Sequence, residues 1–107
     1  MTWTVELHDE TVRRELAALP KDIYARFLRI SQLMEIRGPS AVHEPYVKHL
    51  EGPLWEMRMK GRDGIARAAY VTATGRRVVV VRFFEKKTQK TPRREIELAL
   101  KRAKEVR

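Results

Sequence analysis

The stretch 54–92 constrains the fold most, because three β patterns follow one another there with glycine-bearing turns between them. The patterns cover Leu54–Lys60, Ile65–Thr72 and Arg76–Phe84, and a lysine-rich loop, Lys86–Thr91, comes next. Runs of this length, bounded by turn residues, are typical of short antiparallel strands. The stretch therefore predicts a β-meander, with one face packed on helices and the other carrying a basic patch.

The basic patch follows from which strand faces carry the charged residues. Side chains alternate between the two faces of a strand, so Glu56, Arg58 and Lys60 share one face of the first strand. Arg67 shares a face with apolar residues of the second strand, and Arg82 closes a valine run in the third. We expect cations from neighbouring strands to meet on this sheet.

The charge of the chain is concentrated in its second half. Residues 1–57 contain seven Lys/Arg and nine Asp/Glu, a net charge of −2, whereas residues 58–107 contain sixteen and five, a net charge of +11. Such asymmetry favours a polyanionic partner, either nucleic acid, a membrane surface or an acidic protein segment.

Length and composition favour one small intracellular domain. The 107 residues suit a single domain, 1–107, with one modest core. No apolar run approaches the roughly 20 residues that span a bilayer, and no signal-peptide pattern precedes the first strand. Because there are no cysteines and the three histidines lack spaced carboxylate partners, we predict no metal and no cofactor.

The N-terminal half reads as a strand followed by a helical hairpin. Thr2–Leu7 alternates apolar and polar residues, and Asp9 is a good N-cap for a short amphipathic helix that ends before Pro20. A longer helix, with Pro20 in its first turn, is stopped by Gly38. Residues 38–53 are predicted to form a turn-rich connector.

The C-terminal segment predicts a helix with one apolar face. Thr91 is the expected N-cap and Pro92 the first helical residue. We assign Trp55 and Tyr70 of the meander to the core, with stacking on a base as the alternative role of Trp55. The whole order is then β-α-α-β-β-β-α, an α+β fold with a small sheet on a helical hairpin.

Four segments carry a resemblance to a known family. They are Leu54–Arg58 (LWEMR), Ala66-Arg67, the apolar run Val78–Phe84, and Lys86–Pro92 (KKTQKTP). Together they resemble the HigB-like toxins of the RelE/ParE superfamily, particularly the phage-derived branch of type II toxin–antitoxin toxins. The resemblance spans nearly the entire chain, with the lysine loop as its specific part, and implies a RelE-like fold.

The resemblance also implies a function. Members of this superfamily include ribosome-dependent endonucleases, which cleave mRNA without a metal and thereby inhibit translation. The implied partners are the ribosome, mRNA and a cognate antitoxin, here a helix-turn-helix HigA-like repressor, in the cytoplasm and with no membrane. Ala66 stands where the family has an aromatic residue, and Arg82 where many relatives carry a histidine, so the acid and base stay unassigned.

Metal-free RNA cleavage needs a base for the 2′-hydroxyl, cations around the phosphorane and an acid for the 5′-oxygen. Arg58 and Arg67 are candidates for clamping the phosphate, because a guanidinium matches two phosphate oxygens. Glu56 is a possible base or an orienter of Arg58, and Lys60 could either give or take a proton.

Lysines near other cations have lowered pKa values, so a member of the loop could exchange a proton near neutral pH. The candidates are Lys86, Lys87 and Lys90, of which at least one is expected to bind phosphate only. The predicted RNA contacts are Arg62, Arg76, Arg77, Arg82 and Lys90.

Two other functions fit the same residues. A non-catalytic basic module would bind RNA or DNA with a steep salt dependence and no cleavage. A ParE-like protein would inhibit DNA gyrase.

Overall fold

The structure, a computed structural model, describes residues 2–43, 45–87 and 89–107. Along these ranges a strand and two helices precede four strands and a last helix, which confirms the α+β class. The elements are β1 (Thr4–Leu7), α1 (Glu10–Ala17), α2 (Lys21–Arg37), β2 (Val47–Glu51), β3 (Leu54–Lys60), β4 (Ile65–Ala73), β5 (Arg77–Lys86) and α3 (Arg93–Ala103), with a 3-10 turn at Pro39–Ala41.

The strands form a single sheet in the order β1-β5-β4-β3-β2. Strand β1 is parallel to β5, and the other neighbours are antiparallel. The assignment of all of 38–53 to a connector is wrong, because β2 forms within it. Glycines and prolines on both sides make this segment read as turns, and its five residues become a strand by pairing with β3.

One face of the sheet packs against α1 and α2. Its core includes an edge-to-face contact between Phe27 and Phe83, whose ring centroids lie 4.9 Å apart. Tyr70 is buried here, as predicted, with 2% exposure. The core assignment of Trp55 is wrong, since this side chain is 39% exposed. Trp55 pairs with His49 of the edge strand β2, which leaves it at the rim.

The other face is not simply an open basic patch, because α3 covers part of it. The apolar side of α3, which includes Ala99, packs on residues near one end of β3, β4 and β5. The rest of this face carries the charged residues. The buried side chains under α3 are Leu54, Ala69, Val71, Val79 and Val81.

Side chains close the edge of β5 where β1 stops pairing. β1 pairs with β5 only as far as Val80. Beyond it, Glu15 accepts a hydrogen bond from the Phe83 backbone N–H at 3.1 Å. Arg102 donates to the Val81 carbonyl at 2.8 Å. Unpaired edge groups are thereby satisfied, and α1 and α3 are fixed to the strand that carries Lys86.

The ends of the N-terminal helices follow the sequence signals. Asp9 Oδ1 accepts from the Val12 N–H at 3.0 Å and caps α1. Gly38 ends α2 with a φ of 86°, and a Cβ there would come 3.0 Å from the Trp3 indole nitrogen. Both the backbone angle and this close approach require glycine. Within the described ranges, no helix has the length and apolarity that crossing a membrane would take.

Candidate functional site

The register of the central strands brings the predicted cations together. Arg58 lies directly opposite Arg67, and Lys86 lies opposite Ile65, two residues before Arg67. Directly opposed residues share a face, and diagonal neighbours remain within reach of long side chains. Lys60 also pairs with Ile65 and lies on the same face, where it is exposed.

Arg67 is at the centre of this cluster and is almost completely buried, with 1% exposure. Its Nε lies 3.3 Å from Glu56 Oε1. This oxygen is the ion-pair partner of Nε, whereas no hydrogen-bond acceptor among the described residues meets Nη1. A buried donor without an acceptor costs about 1–3 kcal/mol, so Nη1 is a donor that a ligand could satisfy. A phosphate would reach it only if neighbouring side chains moved.

The electrostatic environment of Arg67 has opposing contributions. Burial lowers the pKa of the guanidinium, the carboxylate of Glu56 raises it, and the nearby charge of Arg58 lowers it. Arginine nevertheless stays protonated in proteins. The side chain is therefore a fixed positive charge under the sheet face, in a medium where its field is weakly screened.

Thr91 links this charge pair to the lysine loop. Its hydroxyl donates to Glu56 Oε2 at 2.8 Å and accepts from Lys86 Nζ at 3.4 Å. The predictions of Thr91 as N-cap and of Pro92 as the first helical residue are wrong, since Pro92 is the N-cap and Arg93 begins α3. No side chain in the described part of the chain caps this helix. With Thr91 bound to Glu56, the N-terminus of α3, the positive end of its dipole, adjoins the cluster.

Lys86 is half-buried, and its pKa is lowered. Burial is the largest cause, and the charges of Arg67, Arg58 and Lys48 add to it, while Glu56 opposes them. Lys86 is thus the site lysine whose surroundings favour loss of a proton. Lys87 and Lys90 are exposed in the loop that joins Lys86 to Thr91, and Thr88 lies outside the described residues.

Lys48 and Thr91 are site residues that the sequence reasoning missed. Lys48 pairs with Glu56 across β2 and β3, so it extends the cationic face to the sheet edge. It lines a cleft of 440 Å³ together with Glu56 and Arg58. The alternation in β2 was the available signal for Lys48. No local signal points to Thr91, because its acceptor lies on a distant strand.

The remaining predicted contacts are engaged or lie elsewhere. Arg82 shares the face of the cluster, but it donates to Glu95 at 2.8 Å and to Glu15 at 2.7 Å. These hydrogen bonds raise its pKa, that to Glu95 the most. The charge of Arg82 is therefore compensated within the fold.

Arg62, Arg76 and Arg77 lie in turns or beside them. Arg62 belongs to the β3–β4 turn, where its backbone N–H donates to Asp22 and lowers the pKa of that carboxyl. Arg77 binds Glu6 at 2.7 Å. Arg77 is the first residue of β5 and lies seven residues before Phe84, which pairs with Arg67. At 3.3 Å per residue, Arg77 and Phe84 are about 23 Å apart along the strand. Arg76 and Arg77 are therefore not part of the cluster.

One group of described residues has the geometry to hold a metal ion. His8, Asp9 and Glu105 offer ligand atoms within 4.8 Å of one another. However, His8 Nε2 already lies 2.9 Å from Glu105 Oε1, and Asp9 caps α1. We assign these residues to joining β1, α1 and the C-terminal segment.

Fold and site together define a small basic α+β protein with a buried ion pair under a cationic sheet face. The chain belongs to the family of phage-derived Gp49-like proteins (DUF891), whose profile matches residues 14–104.

Comparison with solved structures gives a further similarity. The chain is similar to a chain in the crystal structure of the archaeal RelE–RelB complex from Pyrococcus horikoshii OT3. The two share 26% identity and a TM-score of 0.59, over 79% of this chain and 96% of the other. A search among functionally curated proteins gave no significant match.

Proposed function

We propose that this protein is the toxin of a type II toxin–antitoxin pair, a HigB-like, ribosome-dependent mRNA endonuclease. The observation that carries the proposal is the buried Arg67, with its unpaired Nη1, opposite Arg58 and close to Lys86 on the same sheet face. The Gp49-like family and the similarity to the RelE–RelB structure support the same class.

The arrangement suits attack of a 2′-hydroxyl on the adjacent phosphorus. The P–O5′ bond breaks as the new P–O2′ bond forms, leaving a 2′,3′-cyclic phosphate and a 5′-hydroxyl. Arg58 and Arg67 supply positive charge where the phosphorane becomes more negative. The 2′-hydroxyl loses a proton and the 5′-oxygen gains one. Lys86, with its lowered pKa, exchanges one of these two protons, and solvent water exchanges the other.

Glu56 is better suited to orientation than to proton abstraction. It is 3% exposed, and its two oxygens face Arg67 and the Thr91 hydroxyl. We propose that it fixes the Arg67 fork and, through Thr91, the position of Lys86. Lys60, Lys87 and Lys90 would bind flanking phosphates.

A cationic cleft of this kind would act on RNA continuously unless a partner covered it. We propose a cognate antitoxin, a HigA-like helix-turn-helix repressor with an acidic segment, as the covering partner. The RelE–RelB complex supports a protein partner for this fold. Co-expression with the adjacent reading frame should give a stable complex and restore growth.

The enzymatic part is tested with purified protein, programmed ribosomes and primer extension on the message. Wild type should cut within the translated frame, and Arg58→Ala and Lys86→Ala should each lower the rate by about 100-fold or more. Arg29→Ala, the same charge change on an exposed position of α2, is the matched control. Equal cutting by all four proteins would refute the assignment.

Two other results would indicate the alternative functions. Tight, salt-dependent RNA binding without cleavage would favour the non-catalytic module. Growth arrest with intact message and DNA damage would favour a gyrase inhibitor.

A further inference from the structure

A second cleft, of 530 Å³, lies on the opposite face of the sheet from the Arg67 cluster. The Pro39–Ala41 turn and the segment after it form one wall, and β2, β3 and β4 form the floor. We call it the Trp55 cleft. Its lining includes Trp55, His49, Tyr70 and Lys48.

Trp55 and His49 form a preformed aromatic surface in this cleft. Their ring centroids lie 5.1 Å apart at an interplanar angle of 61°. His49 is fixed in turn, because its Nε2 donates to the Gly52 carbonyl at 2.8 Å. The same face of β3 continues into Met57 and Met59, which are both 0% exposed, whereas Trp55 is 39% exposed. The fold therefore holds a tryptophan in place without burying it.

Lys48 joins the Trp55 cleft to the cationic cluster. It lines this cleft and also the smaller one beside Arg58. It pairs with Glu56, and its charge acts on Lys86. Since β2 is the edge strand, a chain that leaves the cluster past Lys48 can turn around this edge and enter the Trp55 cleft.

The occupant that fits both clefts is single-stranded RNA. An exposed aromatic ring can stack on any base, and a lysine between two clefts can bind the phosphate that connects their nucleotides. An acidic peptide would use Lys48 but would gain nothing specific from the exposed indole of Trp55. The aromatic surface and the cation together favour a nucleotide.

We propose that the Trp55 cleft is a nucleobase subsite, which stacks a base flanking the scissile phosphate while Lys48 holds the backbone between them. The proposal rests on the proposed function, since it assumes that RNA lies across Arg58 and Lys86. It adds a determinant of RNA affinity and register on the opposite side of the sheet from the chemistry.

The test uses the fluorescence of Trp55. The chain has two tryptophans, so a Trp3→Phe background leaves Trp55 as the reporter. The probe is a short single-stranded oligoribonucleotide, methylated at every 2′-oxygen so that it is not cut. We expect saturable quenching, because a stacked base contacts the indole.

Affinity variants give the second measurement. Trp55→Ala should weaken binding by roughly 5- to 150-fold, the equivalent of one lost stack, and Trp55→Phe by less. Tyr24→Ala is the matched control, because Tyr24 is 38% exposed on the surface of α2. Lys48→Ala should also weaken binding, and thermal melts would check that each variant folds.

Two results would overturn the subsite: no quenching by RNA, or equal affinities for Trp55→Ala and Tyr24→Ala. Quenching by the antitoxin but not by RNA would instead make the cleft a protein-docking surface. The outcome is separable from the nuclease proposal. Loss of cleavage in Arg58→Ala with unchanged affinity in Trp55→Ala refutes only the subsite, whereas stacking without ribosomal cleavage refutes only the nuclease.

Discussion

Glu56 and Arg67 form an ion pair in which neither side chain is more than 4% exposed, with 3.3 Å between Oε1 and Nε. Such pairs add little to stability as a whole, because desolvation offsets most of the attraction. Loss of one partner is nevertheless costly. The pair is therefore better explained as a means of holding a charge at the site than as a contribution to the stability of the fold.

The first prediction is a double-mutant cycle on this pair. Glu56→Gln should lower the free energy of unfolding by about 3–5 kcal/mol, because it leaves Arg67 buried without a counter-charge. Adding Arg67→Met should recover most of that loss and leave the protein without cleavage activity. Urea unfolding measures the first effect, and the ribosome assay the second. Additive losses would contradict the coupling.

The second prediction separates two roles of Thr91. Thr91→Val removes the donor to Glu56 and should lower the free energy of unfolding by about 1–3 kcal/mol, while Thr91→Ser should be near wild type. Thr91→Asp distinguishes a helix-capping role of residue 91 from its role as a hydrogen-bond bridge between Glu56 and Lys86. Aspartate is a good N-cap and would stabilise a capped helix, but beside buried Glu56 it should destabilise the protein. Thermal melting of the three variants checks this.

The third prediction concerns Lys86. Its side chain should titrate below the ordinary pKa of 10.5, because of burial first and Arg67 second. The unfolded chain then binds more protons in the window between the lowered pKa and 10.5, so the contribution of Lys86 to stability rises with pH there. NMR titration of the lysine side chains measures the pKa. Arg67→Met should raise it, and an unchanged value would refute the coupling.

The fourth prediction concerns Tyr70, whose pKa burial raises from 10.0 to about 12. The folded state keeps its phenol proton where the unfolded chain has lost it. The stabilisation is therefore complete below pH 10 and is lost as pH rises through about 12. The loss is on the order of 2–3 kcal/mol. Tyr70→Phe should lack this loss in urea unfolding at alkaline pH, whereas parallel curves would contradict the prediction.

The sequence determined the elements whose rules are local. The bounds of β3 agree with those that its alternation predicted. Asp9 begins α1 and Gly38 ends α2 as predicted, because a cap acts within one turn of its helix. Alternation also gave the faces of Arg58 and Arg67. β2 was missed since its turn-rich flanks outweighed a five-residue pattern, which pairing with β3 then stabilised.

Only the tertiary structure decided which of these charges act together. Strand register brought Arg58 opposite Arg67, tertiary packing buried Arg67 with Glu56, and the Thr91 hydroxyl gained an acceptor 35 positions away. The tertiary structure also compensated the charge of Arg82 and left the Trp55 side chain exposed. Register and burial depend on contacts between residues far apart in the chain, and a one-residue slip would reverse every face, so local pattern alone does not specify them.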